Sequence, residues 1–183
     1  MNRYRIEPDR SGFTVQAFAA GLLSAFAHSP TFAVRDYGGE VRLGETAESL
    51  ELELTVNPDS LELQDRVSPA DRREIEARLR GEVLETAVHR ALTYRGGVVR
   101  AETISQGRYR LVVGGDLTLH GVTRPHRIDA ELTVCRDGLR LRGTSLLRMS
   151  EFGIRPVTAL GGAIRLRDEL KLSSDLTALP VPS

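Results

Sequence analysis

Gly115-Asp116-Leu117-Thr118-Leu119-His120-Gly121-Val122-Thr123-Arg124-Pro125 is the stretch from which the fold is read. Leu117 and Leu119 alternate with Asp116, Thr118 and His120, so one side suits an apolar interior and the other suits water, as in a half-buried strand. Gly121 permits backbone angles closed to other residues and Pro125 lacks a ladder donor, which places a turn between them. Beyond it, Ile128, Ala130, Leu132 and Val134 alternate with Arg127, Asp129, Glu131 and Thr133. The two arms make an antiparallel hairpin.

Moving outward, the same period of two recurs. Upstream, Ala91–Tyr94, Val98–Ile104 and Tyr109–Val113 read as strands, with Gly96-Gly97 and Gln106-Gly107 as the turns between them. Downstream, Leu139–Met149 and Ile164–Leu172 follow, set off by Asp137-Gly138 and Gly161-Gly162. Near the start, Phe13, Val15 and Ala17 share a face, and Phe32 and Val34 share another before the turn signal Tyr37-Gly38-Gly39 and the strand carrying Val41 and Leu43. Leu50-Glu51-Leu52-Glu53-Leu54-Thr55-Val56 is the cleanest strand, apolar on one side and polar on the other, as in a sheet wet on one face. The run Gly21–His28 fits either a short helix or a buried loop. Strands and turns at this spacing predict an all-β meander, stacked as a sandwich or closed as a barrel.

One helix interrupts the strands, over about residues 69–84. Ser68 supplies a hydroxyl cap, Pro69 the first helical position and Asp71 an early acid. Ile75, Leu79 and Val83 form one apolar stripe, while Glu74/Arg78 and Glu76/Arg80 can pair on the other faces. So short a helix needs a partner surface, either across the sheet or over one end of a barrel.

Composition narrows the function. A chain of 183 residues is about one domain, and residues 1–178 read as one, with 179–183 as a tail. Its 25 basic residues are balanced by 25 acidic ones, so no long-range field draws a phosphate backbone, and nucleic acid is not an expected partner. Aromatic content of 5 % with no Trp leaves few platforms for stacking bases or sugars. Cys135 is the only cysteine, which excludes an internal disulfide and a thiolate metal cluster. No segment reaches the roughly 18 apolar residues of a membrane span, and no basic leader precedes the first strand, so a cytoplasmic location without stable membrane insertion is expected.

Chemistry-bearing motifs are sparse. The chain has no Gly-x-Ser-x-Gly elbow and no phosphate loop. His28, His89, His120 and His126 lack the paired spacing of a zinc protease or a finger, so no metal is expected, and His120 reads as a hydrogen-bond donor to a neighbouring loop. Asp168 stands out because Ile164, Leu166, Leu170 and Leu172 share its side of the strand. It either carries a charge into the interior, to be met by His120, Arg124 or Arg148 as a structural polar cluster, or is turned to water by a bulge.

The Asp116–Pro125 motif resembles the YceI-like family of lipocalin-shaped, polyisoprenoid-binding proteins. Tyr4-Arg5-Ile6-Glu7-Pro8-Asp9-Arg10-Ser11, Leu146–Ile154 and Arg167-Asp168-Glu169-Leu170-Lys171-Leu172 follow that family's order over nearly the whole chain. The resemblance implies an eight-stranded antiparallel lipocalin-like barrel with a flanking helix, holding the prenyl tail of a carrier lipid or an isoprenoid quinone; the lack of catalytic motifs in the residues adds the expectation of no catalysis and no other cofactor. Residues expected to face that guest are Phe13, Val15, Phe32, Val34, Leu52, Leu54, Leu92, Tyr94, Leu111, Leu132, Leu141 and Leu147. A barrel filled by its own side chains, acting as an interaction or stress-protection module, is the alternative. Ala17, Ala101, Ala130 and Gly143 leave room for a guest instead. A homodimer is the expected assembly.

Overall fold

A computed structural model of the chain describes residues 1–20, 29–155, 157–159 and 164–182, so the Gly21–His28 run and the Gly161-Gly162 turn lie outside the described residues. In chain order come β1 (Asn2–Ile6), β2 (Gly12–Ala20), β3 (Thr31–Val34), β4 (Tyr37–Leu43), β5 (Glu51–Val56) and β6 (Leu61–Leu63). Helix α1 (Pro69–Arg78) follows, then β7 (Leu92–Ser105), β8 (Arg108–Leu119), β9 (Val122–Cys135), β10 (Gly138–Arg148), β11 (Thr158–Ala159) and β12 (Ile164–Pro180).

Eight antiparallel staves run in the order β1-β4-β5-β7-β8-β9-β10-β12, and pairing of β1 with β12 (Arg5 with Leu179, Ile6 with Ala178) closes the ring. Closure removes the exposed edges that an open sheet would present. It also corrects the tail: Leu179 and Pro180 pair with Arg5 and Tyr4, and the Val181 N–H reaches the Arg3 carbonyl, so the strand runs past 178.

Three staves are broken midway. β1 gives way to β2 through a turn at Pro8–Arg10, β3 to β4 at Arg35-Asp36, and β5 to β6 at Pro58–Ser60. The breaks are tied together: the Arg35 and Asp36 N–H groups donate to the Ser60 hydroxyl at 3.3 and 2.9 Å, and the Asn57 amide donates to Asp36 at 2.9 Å. Beyond them, β2, β3 and β6 continue the wall from β12. β6 is paired to β3 but not to β7, and α1 packs against β6 there.

The hairpin turn is His120-Gly121, with φ of +51° and +74°, the pair of left-handed residues that a two-residue turn needs to match strand twist. Pro125 lies within β9 opposite Asp116, on a stretch that β10 does not pair, where a missing N–H costs nothing. Two glycine pairs read as turns are instead inside strands. Gly38 and Gly39 belong to β4. Gly96 and Gly97 sit midway along β7, in register with Gly115 and Gly114 of β8. A Cβ on Gly39 would overlap the Glu53 carbonyl, and one on Gly115 would overlap the Arg95 carbonyl. Glycine here serves close approach between strands rather than reversal.

α1 opens as its sequence dictates, the Ser68 hydroxyl accepting from the Asp71 N–H, and a π-helical turn at Leu79–Val83 extends it. Arg80 pairs with Glu76 at 3.6 Å, whereas Arg78 pairs with Glu82 at 3.3 Å rather than with Glu74.

Candidate functional site

Inward-facing residues divide the barrel into two halves. In one, Ile6, Val41, Leu43, Leu50, Leu111, Leu132 and Leu139 are buried together, with Leu132 fully inaccessible. None of these seven borders the cavity in the other half. In the other half a cavity of about 700 Å³ runs beneath α1, within the size range of ordinary ligand sites. Its floor includes Val113, Ala130, Leu141 and Leu176; its lid is the stripe Ile75, Leu79, Val83 together with Leu84.

Ten of the twelve expected guest-facing residues line the cavity: Phe13, Val15, Phe32, Val34, Leu52, Leu54, Leu92, Tyr94, Leu141 and Leu147. Leu111 and Leu132 do not. Both are buried next to floor residues, Leu111 beside Ala130 and Leu132 beside Leu141 in the strand register, yet neither borders the cavity, and alternation alone cannot report depth along a barrel. Ala17, Ala130 and Gly143 line the cavity as the small residues that make room, while Ala101 does not. Lid contacts from Ile75 to Leu84, and Met149 and Ile154 from the turn after β10, complete the wall; of the two places expected for the helical stripe, across the sheet or over one end of a barrel, it takes a position over the cavity.

Polar groups are placed at two levels. At the mouth, Asp65, Asp71, Glu74 and Arg78 reach the rim. Deeper, His126 is hydrogen-bonded to the Ser145 hydroxyl at 2.9 Å, and the Tyr94 hydroxyl donates to the Val113 carbonyl at 3.2 Å. Burial pushes the Tyr94 phenol up to about 12, so it remains a donor. No carboxylate hydrogen-bonds the His126 ring among the described residues, so the pair lacks the third member of a nucleophilic triad.

Burial lowers the His126 pKa, with Glu151 opposing weakly. A base depressed in the folded state takes its proton first in the unfolded state, so stability is lost as pH falls below the unfolded value of about 6.5. Denaturation midpoints should drop between pH 7 and 5, and His126→Gln should flatten that part of the profile; an identical slope in the variant would show that another group is responsible.

The expected cluster of His120, Arg124, Arg148 and Asp168 does not assemble around a buried charge. Registration between β12 and β2 slips between Leu166 and Leu170, and this bulge turns Asp168 to water. Its carboxylate accepts from the Ser150 hydroxyl at 2.5 Å and the Ser150 N–H at 2.8 Å, and these bonds, the hydroxyl's foremost, hold it below the usual carboxylate range, with Arg148 adding to the effect. Arg124 donates to the Glu151 carbonyl at 3.3 Å, so Arg124 and Asp168 both brace the turn Met149–Phe152. His120 is elsewhere, its Nε2 donating to Glu85 at 2.8 Å.

Comparison with known proteins bears on this architecture. A family profile described as the YceI-like domain matches residues 4–178. The chain belongs to the YceI-like family. Among solved structures, Burkholderia cenocepacia BcnA superposes with a TM-score of 0.71 at 12 % identity, over 94 % of this chain and 98 % of that one. A polyisoprenoid-binding domain from Saccharophagus degradans, described as implicated in plant cell wall breakdown, gives 0.70 at 12 %, over 99 % and 100 %. The Campylobacter jejuni YceI protein gives 0.59 at 14 %, over 82 % and 84 %. At these identities the likeness establishes a shared barrel with its helix. No curated protein matches the sequence. Among the described residues of this YceI-like chain, no helix is long and apolar enough to cross a membrane.

Proposed function

We propose that this YceI-like protein is a non-catalytic carrier that holds the prenyl chain of a polyisoprenoid lipid or isoprenoid quinone in the half of the barrel beneath α1. The observation that carries the reading is the cavity itself: about 700 Å³ walled by Phe13, Val34, Leu54, Leu147 and their neighbours. Each methylene moved from water into such a space contributes about 0.8 kcal/mol, so about ten carbons give substantial affinity without any polar contact. The ionic rim at Asp65, Asp71, Glu74 and Arg78 keeps a polar head group at the mouth. Family membership and the polyisoprenoid-binding domain of S. degradans support the same reading.

Delipidated protein titrated with a fluorescent farnesyl derivative should show a single saturable site, and native mass spectrometry of protein purified without delipidation should reveal a retained prenyl species. Absence of both retained lipid and saturable uptake would remove the proposal. A filled interaction module predicts that absence, so the same pair of measurements decides between the two.

A further inference from the structure

Outside the cavity, three metal-ligating side chains distant in sequence meet at the rim. Glu85 and His89 belong to the loop that follows the lid, and His120 is the first residue of the β8–β9 turn. One ligand atom from each lies within 4.8 Å of the other two. The His89 and His120 rings are 4.2 Å apart between centroids, and His120 Nε2 is 2.8 Å from a Glu85 carboxylate oxygen.

The backbone is arranged to bring them there. The Glu85 carbonyl accepts from both the Val88 and His89 N–H groups at 2.8 and 2.9 Å, curling the loop so that His89 returns to the side of Glu85. Thr86 secures the loop from below, its N–H to the Arg80 carbonyl and its hydroxyl to Asp59, each at 2.9 Å. Glu85 and His120 are the two non-glycine residues with positive φ among those described, at +46° and +51°, and such conformations concentrate at functional sites. Gly121 completes the fit: a Cβ there would stand 3.1 Å from His89 Cε1.

We propose that Glu85, His89 and His120 form a binding site for a divalent transition-metal ion of the zinc type. Two imidazoles and a carboxylate are a donor set suited to Zn²⁺. Ligand atoms about 2.0–2.1 Å from a tetrahedral ion stand about 3.3 Å from one another, so the 2.8 Å pair opens slightly and the wider separations close by side-chain rotation. The Glu85 side chain is 50 % exposed and His120 only 13 %, which gives the ion a solvent path on one side and a fixed ligand on the other. The fourth position stays open to water. Bound there, the ion fastens the loop after the lid to the barrel rim, because Val83 and Leu84 on one side and Leu119 on the other already line the cavity mouth.

Isothermal titration of the metal-stripped full chain with Zn²⁺ at neutral pH should show one site. Co²⁺ should give the visible absorption of a four-coordinate centre, and Zn²⁺ should slow amide exchange at residues 85–90. His89→Gln and His120→Gln should each weaken Zn²⁺ at least tenfold and abolish the exchange protection, while Cys135→Ser, at an exposed thiol, should bind as the parent does. No binding by the parent, or binding unchanged in both glutamine variants with their far-ultraviolet dichroism intact, would overturn the site. Should both variants misfold, the parent's protection pattern decides: protection by Zn²⁺ confined to residues 85–90 and the 119–122 turn supports it, and protection elsewhere ends it.

Discussion

Gly115→Ala should destabilise the protein by about 3 kcal/mol or more, at the upper end of overpacking costs, whereas Gly97→Ala, one register step away in the same patch, should be neutral or mildly stabilising. The four glycines Gly96, Gly97, Gly114 and Gly115 face one another where β7 and β8 pair. A Cβ on Gly115 would overlap the Arg95 carbonyl and the Gly96 Cα, both backbone atoms that cannot rotate away. One on Gly97 would meet nothing nearer than the Leu50 carbonyl at 3.6 Å, an ordinary contact, so the reduced freedom of the unfolded chain is free to favour the variant by a few tenths of a kcal/mol to about 1 kcal/mol. Tyr94 shares in the effect, since its hydroxyl lies over Gly96 and donates to the Val113 carbonyl. With about 5–15 kcal/mol of total stability to draw on, the Gly115 variant should show a clearly lower urea midpoint at unchanged slope. Equal midpoints for the two variants would contradict the close approach of the two strands.

The same patch shows why sequence carried some elements and not others. His120-Gly121 announces a reversal because the residues on both sides alternate in step and must pair with each other. Gly96-Gly97 has equally good local credentials for a turn, yet its purpose lies in β8, nineteen residues on, and no local signal separates a glycine that reverses the chain from one that lets another strand approach. Asp168 is a similar case. Period-two counting carries it inward with Leu166 and Leu170, and only the slipped register against β2 turns it out. The strand Leu50–Val56 and the Ser68 cap were legible because their causes lie within a few residues. The metal-ligating group was hidden, since its members are 4 and 31 residues apart on two loops. Depth in the barrel was hidden too: Leu54 and Leu132 are equally apolar and alternate equally well, but one walls a cavity and the other fills the half below it.

That difference separates folding from binding. Leu132→Ala should cost about 2–5 kcal/mol, because a fully inaccessible leucine packed among Leu111, Leu139 and their neighbours leaves a void that the closed ring cannot collapse. Its affinity for a farnesyl probe should stay within about twofold once measured where the variant is folded. Ala17→Phe should do the reverse. Ala17 is buried against the cavity on β2, so the ring enters existing space, buries apolar surface and leaves the melting temperature level or raised. It also occupies room that the prenyl chain needs. Displacing two methylenes forfeits about 1.6 kcal/mol, and a loss of that size weakens binding more than tenfold. Calorimetry for stability and probe titration for affinity, run on the two variants side by side, should therefore move in opposite senses. If Leu132→Ala lost the probe while Ala17→Phe kept it, the guest would have to lie in the packed half, and the assignment of the cavity as the binding site would fall.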